Sequence, residues 1–142
     1  MRAITKEAVK SFLNAKPFSK SNTTVRVLPN VTVLSLFGND IAYLYNDPER
    51  TLSITNAGWV SNTTKERLNA LPNVSIRQKN YEFYLNDEKW DGNLTDVVKL
   101  SEYKDMYINK LIENGQDRTD LKRFLEIKKM STQEFIDDVI AV

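Results

Sequence analysis

The spacing of the β-forming runs constrains this chain more than any other feature. Thr24 to Val27, Thr32 to Phe37, Ile41 to Tyr45 and Thr51 to Thr55 are rich in Val, Ile, Thr, Tyr and Leu. The turn dipeptides Pro29-Asn30, Asn39-Asp40 and Asp47-Pro48 separate them. Connections of about two to five residues leave no room for a parallel crossover, which needs roughly a dozen. An antiparallel meander is therefore expected. Within its last run, Leu52, Ser53, Ile54 and Thr55 alternate apolar and polar, the two-residue period of a strand with one buried face.

Asn56-Ala57-Gly58 then ends that run. Asparagine and glycine tolerate a left-handed backbone, so Gly58 can re-aim the chain and leave Trp59 at the bend. Asn62 or Thr63 can cap a helix that starts near Thr64, with Glu66 three residues beyond Thr63 and able to reach back. Leu71-Pro72 stops it, because the residue before proline is pushed out of helical angles. Val74 to Lys79 and Glu82 to Leu85 flank Asn80-Tyr81 as a second hairpin, and Lys89-Trp90 returns briefly. Before the meander, Ile4, Ala8, Phe12 and Ala15 share a helical face with Val9 and Leu13 beside it; Thr5 is the expected cap and Phe18 to Asn22 a polar linker.

Beyond residue 93 the period changes. Leu94 to Leu100 reads as a short helix, and Glu102 to Asn114 as a longer one ended by Asn114-Gly115. A third helix starts at Asp117 or Thr119, and Ser131-Thr132-Gln133-Glu134 boxes the start of a last one. The expected fold class is thus α+β: an antiparallel meander sheet of about six or seven strands, with an N-terminal helix, one short inserted helix and a C-terminal helical tail. Residues 1–93 would form the sheet domain, and 94–142 a helical extension packed on the sheet or used for association.

Composition narrows the chemistry. The chain of 142 residues has no cysteine and no histidine, which removes thiol nucleophiles, disulfides, the commonest metal ligand and the commonest general base. Net charge is +1, so no whole-molecule attraction for nucleic acid exists. No signal-peptide stretch or long apolar span is present, so a soluble, intracellular protein without a membrane partner is expected. Neither a catalytic set, a metal-ligand set nor a cofactor loop is read from the residues, because the four glycines are not clustered.

Two surfaces remain for binding. Trp59, Thr63, Thr64, Lys65 and Arg67 stand at or near a helix N-terminus, where free amides favour an anion. The competing structural reading makes Thr63 and Thr64 caps, Trp59 a core plug and Arg67 half of a surface pair. Arg77, Lys79, Tyr81, Tyr84, Lys89 and Trp90 give the late hairpins a basic and aromatic mixture of the kind that neutralises phosphates and stacks bases, although tyrosines are also good strand formers. In the tail, Tyr107, Leu111, Leu121, Phe124, Leu125, Phe135, Ile136 and Val139 form apolar stripes available to a partner or to a second copy of the chain.

The block Val33 to Ala42, then Thr51 to Trp59, then Thr63 to Ala70, and the late Trp90, resembles a pattern in a family of small tailed-bacteriophage proteins. There a strand with a Gly-Asn-x-Ile-Ala core precedes a Gly-Trp-x-Ser/Thr-x-Thr-Thr-Lys-x-Arg-Leu-Asn signature. This chain departs from the pattern at Phe37, where histidine is often found, and at Ala57, where a first glycine is common. The resemblance implies a phage origin and a place in the host cytoplasm; it does not imply an activity. The expected function is that of a phage accessory protein that binds a host or phage protein without catalysis. The alternative is a small nucleic-acid-binding protein using the basic hairpins. A metal-dependent enzyme is the third option, and it needs three of Asp40, Asp47, Glu49, Glu82, Asp87, Glu88 and Asp91 around one point.

Overall fold

A computed structural model describes residues 2–59, 61–113 and 121–140, with only the backbone described at 121–124. Helix α1 (Ala3–Leu13) buries Ala8, Val9, Phe12 and Leu13 against a six-stranded antiparallel sheet. Strands β1 (Phe18–Lys20), β2 (Thr23–Val27), β3 (Val31–Leu36), β4 (Asn39–Tyr45) and β5 (Thr51–Ile54) lie in chain order, and β9 (Thr95–Lys99) closes the far edge. The α+β meander expected from the connection lengths is therefore present. Its register explains its stability: Val25, Leu34, Ala42 and Ile54 form one cross-strand row, and Thr32, Leu44, Leu52 and Val98 form another, all buried.

Helix α2 (Asn62–Asn69) crosses between the main sheet and a separate three-stranded sheet of β6 (Ile76–Lys79), β7 (Glu82–Leu85) and β8 (Glu88–Lys89). The strands thus divide between two sheets that share one core, to which the smaller contributes Ile76 and Leu85. Asn69 joins helix to strand by accepting from the Ile76 amide at 2.6 Å and donating to the Ile76 carbonyl at 3.1 Å. Helices α3 (Leu100–Glu113), α4 (Leu121–Lys129) and α5 (Thr132–Phe135) follow, and α5 continues as a π-helical turn over Ile136–Ile140.

Several local expectations are corrected. Thr5 does not cap α1: it lies one turn inside the helix, fully buried, while Arg2 takes the cap position without a side-chain bond. The Phe18 to Asn22 linker contains strand β1, because Ser21 at φ 53° makes a tight hairpin without glycine. Asn39 and Asp40 belong to β4; the turn is Phe37-Gly38, both with positive φ. Asp40 accepts from Ser35 at 2.5 Å and Arg26 at 2.7 Å instead of shaping a turn. The cap of α2 is Ser61, whose hydroxyl accepts from the Thr64 amide at 3.1 Å, rather than Asn62 or Thr63. Leu94 to Leu100 is mostly strand β9, since β5 would otherwise leave its edge unpaired and Val97-Val98 suits a ladder. At the last helix Ser131 is the cap, as expected, its hydroxyl accepting from the Glu134 amide at 3.1 Å. Asn114-Gly115 and the helix starts at Asp117 or Thr119 lie outside the described residues.

Ala57 stands at φ 53° in the bend before Trp59, a conformation that crowds its Cβ against the backbone. Replacing it with glycine removes that strain but loosens the unfolded chain. The expected net gain is about 0.5 kcal/mol, read as a raised urea midpoint with an unchanged slope.

Candidate binding surfaces

Two strained turns aim aromatic side chains out of the fold. Phe37 leads the β3–β4 turn at φ 52° and is 69% exposed; Trp59 ends the Asn56–Trp59 bend and is 59% exposed. That bend is fixed by the Trp59 amide donating to the Asn56 carbonyl at 2.8 Å and by the Gly58 amide donating to Asn56 Oδ1 at 2.8 Å. Between the aromatics lies a cleft of about 470 Å³. Buried Leu36, Ile41 and Thr64 form its floor, Phe37 and Trp59 its walls, and Asn39 and Ser61 its polar rim. Among the described residues, no charged one lines it. It can receive an apolar group, whereas a charge would lose its hydration without gaining a partner.

The residues expected around an anion at the start of α2 are only partly gathered. Trp59 and Thr64 line the cleft, and the Thr64 and Ser61 hydroxyls lie 2.9 Å apart. Thr63 sits half-buried on the first turn. Lys65 turns away, its Nζ 5.9 Å over the Phe83 ring.

Arg67 points inward. Only 1% exposed, its guanidinium donates to Glu66 Oε1 at 2.5 Å, Thr5 Oγ1 at 2.6 Å and Thr23 Oγ1 at 3.3 Å, while the Thr5 hydroxyl donates to Glu66 Oε1 at 2.5 Å. These contacts tie α1, α2 and β2 together inside the protein. An Arg67 so engaged is not available to a ligand.

The late hairpins build a second surface. Asn80-Tyr81 and Asn86-Asp87 both have positive φ at each position, the geometry of tight two-residue hairpin turns, so strict alternation sorts the sheet's faces. Ile76 and Leu85 face the core with partly buried Phe83. Arg77, Tyr84 and Lys89 form one cross-strand row on the other face, with Lys79 and Glu82 the next pair. Tyr81 at the hairpin tip is 96% exposed. Arg77 pairs with Asp87 at 2.7 Å and Lys89 with Glu82 at 2.9 Å. The hydrogen bond and charge of Lys89 hold the Glu82 carboxyl below its ordinary range, and Glu82 in turn raises Lys89. Trp90 does not join this face: it is buried, and its indole N–H donates to Thr95 Oγ1 at 3.0 Å and the Asn93 carbonyl at 3.1 Å.

The tail residues divide differently. Phe135 and Ile136 are buried within the chain, and Tyr107 meets Phe135 edge-on at 5.5 Å between ring centres. Leu111 and Val139 are half-buried and Leu125 is 51% exposed; the side chains of Leu121 and Phe124 lie outside the described residues. Among the described residues no three acidic side chains group as metal ligands, the condition that a metal-dependent enzyme requires. No described helix is long and apolar enough to cross a membrane.

The family model described as Kyanoviridae Gp96 protein matches residues 1–109. The chain belongs to this family of phage proteins. No curated protein and no solved structure matches the chain. Both the aromatic cleft and the basic hairpin face fall inside the stretch shared with the Gp96 family, whereas α4 and α5 lie beyond it. Phe37 was noted only as a departure from a phage pattern, not as a site residue. The signal for its exposure is local: Phe-Gly directly before a strand places the phenylalanine first in a two-residue hairpin turn, where its side chain has little to pack on.

Proposed function

We propose that this Gp96-family protein acts in the host cytoplasm by binding another protein, host or phage, which inserts an uncharged apolar side chain between Phe37 and Trp59. The observation that carries the reading is the pairing of two largely exposed aromatics across an uncharged cleft of about 470 Å³ with a buried aliphatic floor. Exposed aromatics around a pocket with an aliphatic floor, which a partner would desolvate on binding, have the anatomy of an interface hot spot. Self-association through the C-terminal helices would use Leu125 and Ile112, both exposed, because Phe135 and Ile136 are engaged inside the chain.

The test is affinity capture of the tagged protein from infected cells, with and without nuclease, beside a Phe37→Ala/Trp59→Ala variant. Both side chains are exposed, so the variant should keep its circular dichroism and unfolding midpoint. A nuclease-resistant partner should bind the variant at least about 30-fold more weakly, since even one hot-spot aromatic contributes about 2 kcal/mol or more. Equal recovery with both proteins would assign binding elsewhere and end this reading.

A further inference from the structure

We propose that the outward face of the β6–β8 sheet binds single-stranded nucleic acid, its phosphates taking Arg77 and Lys89 from Asp87 and Glu82 while bases stack on Tyr84 and Tyr81. Charge and placement carry the inference. Arg77, Tyr84 and Lys89 stand side by side across three strands, so the aromatic ring lies between two cations. Lys79 adds a third cation on the same face, paired in register with Glu82. Three cations thus share the face with two carboxylates, Asp87 in contact with Arg77 and Glu82 in contact with Lys89; Glu88 opposes Leu85 and belongs by register to the other face.

Both ion pairs are open to solvent, with side-chain exposures of 63% and 81% for Arg77–Asp87 and 70% and 45% for Lys89–Glu82. Such pairs contribute little to folding and exchange readily. A phosphate offers each cation the same kind of contact and releases condensed counterions as well. Tyr81, 96% exposed at the tip of a two-residue turn, packs its ring on almost nothing in the fold and is placed to stack on a base. A polyanion with flat rings along it fits this surface, and the carboxylates hold its affinity down.

That restraint supplies the test, because removing it should improve binding. Glu82→Gln/Asp87→Asn changes charge with little change of shape, and asparagine tolerates the left-handed backbone of Asp87 at φ 70°. With labelled oligothymidylate in fluorescence anisotropy, the full-length protein should bind at about 50 mM salt and release by about 200 mM. The double variant should bind about tenfold tighter with nearly the same log–log salt slope, because Arg77 and Lys89 meet the same phosphates in both proteins and only the cost of leaving the carboxylates is removed. Lys79→Gln should flatten the slope by about 0.7, and Tyr81→Ala should weaken binding about tenfold with the slope unchanged.

Phe37→Ala/Trp59→Ala should leave all of this untouched, which keeps the outcome separate from the protein-binding cleft. Absence of binding by both the unmodified protein and the double variant at about 50 mM salt would overturn the proposal. So would competition by polyglutamate as effective as by oligothymidylate, which would assign the face to an acidic protein.

Discussion

Arg67→Ala is expected to lower stability by about 3–5 kcal/mol, a large share of the about 5–15 kcal/mol that holds a domain folded. The guanidinium is 1% exposed and bonded to Glu66, Thr5 and Thr23, so truncation opens a cavity and takes from all three, on three elements, the cation that they share. A charge alone does not satisfy the site. Arg67→Lys keeps the charge but offers a point donor where the native side chain reaches Glu66 and Thr5 through Nη1 and Thr23 through Nε; about 2 kcal/mol should be lost.

A double-mutant cycle separates burial from pairing. Glu66→Gln alone leaves a buried cation facing a neutral amide, and its cost should shrink sharply in an Arg67→Met background. Urea unfolding of the four proteins measures the coupling. Additive costs would mean that Glu66, whose side chain is 26% exposed, already relies on solvent and not on Arg67.

Phe135→Ala is expected to cost about 3–4 kcal/mol. Its ring is 1% exposed, edge-on to Tyr107 at 5.5 Å and tilted against Tyr103 at 6.0 Å, and the next residue, Ile136, is fully buried in the main core. The two ends of the chain also meet, the Gln133 amide donating to Asn14 at the end of α1. Deleting residues 102–142 should therefore expose core surface and lower solubility, whereas a tail reserved for a partner would leave a well-behaved sheet. A single cooperative unfolding transition in the full chain, shifted as a whole by Phe135→Ala, is the expected calorimetric result. A separate low-temperature transition confined to the tail would contradict it.

The periodic elements were legible because local rules and burial agree on them. The four meander runs are marked by β-forming residues and short connections even though β3 and β5 are covered on both faces, Asn80-Tyr81 and Gly58 fall where the backbone turns left-handed, and Ser131 caps the helix that its spacing announces. Leu94 to Leu100 misled because Val97 and Val98 suit either period over so short a run, and only the open edge of β5 selects a strand. Thr5 and Arg67 misled for a different reason. A threonine near a helix start reads as a cap and an arginine on a short helix reads as surface, because partners 62 and 44 residues away in sequence leave no local trace.

What the sequence by itself determined was the backbone's menu: antiparallel neighbours from short connections, turns from glycine and asparagine, and a chemistry without thiols or imidazoles. Which side chains face water was decided only by tertiary structure. Packing of α1, α2 and β2 draws Arg67 inside, and the same arrangement leaves Phe37 and Trp59 outside around a cleft. Exposure is a property of what lies opposite a residue in space, and for the decisive residues here that neighbour comes from a distant part of the chain.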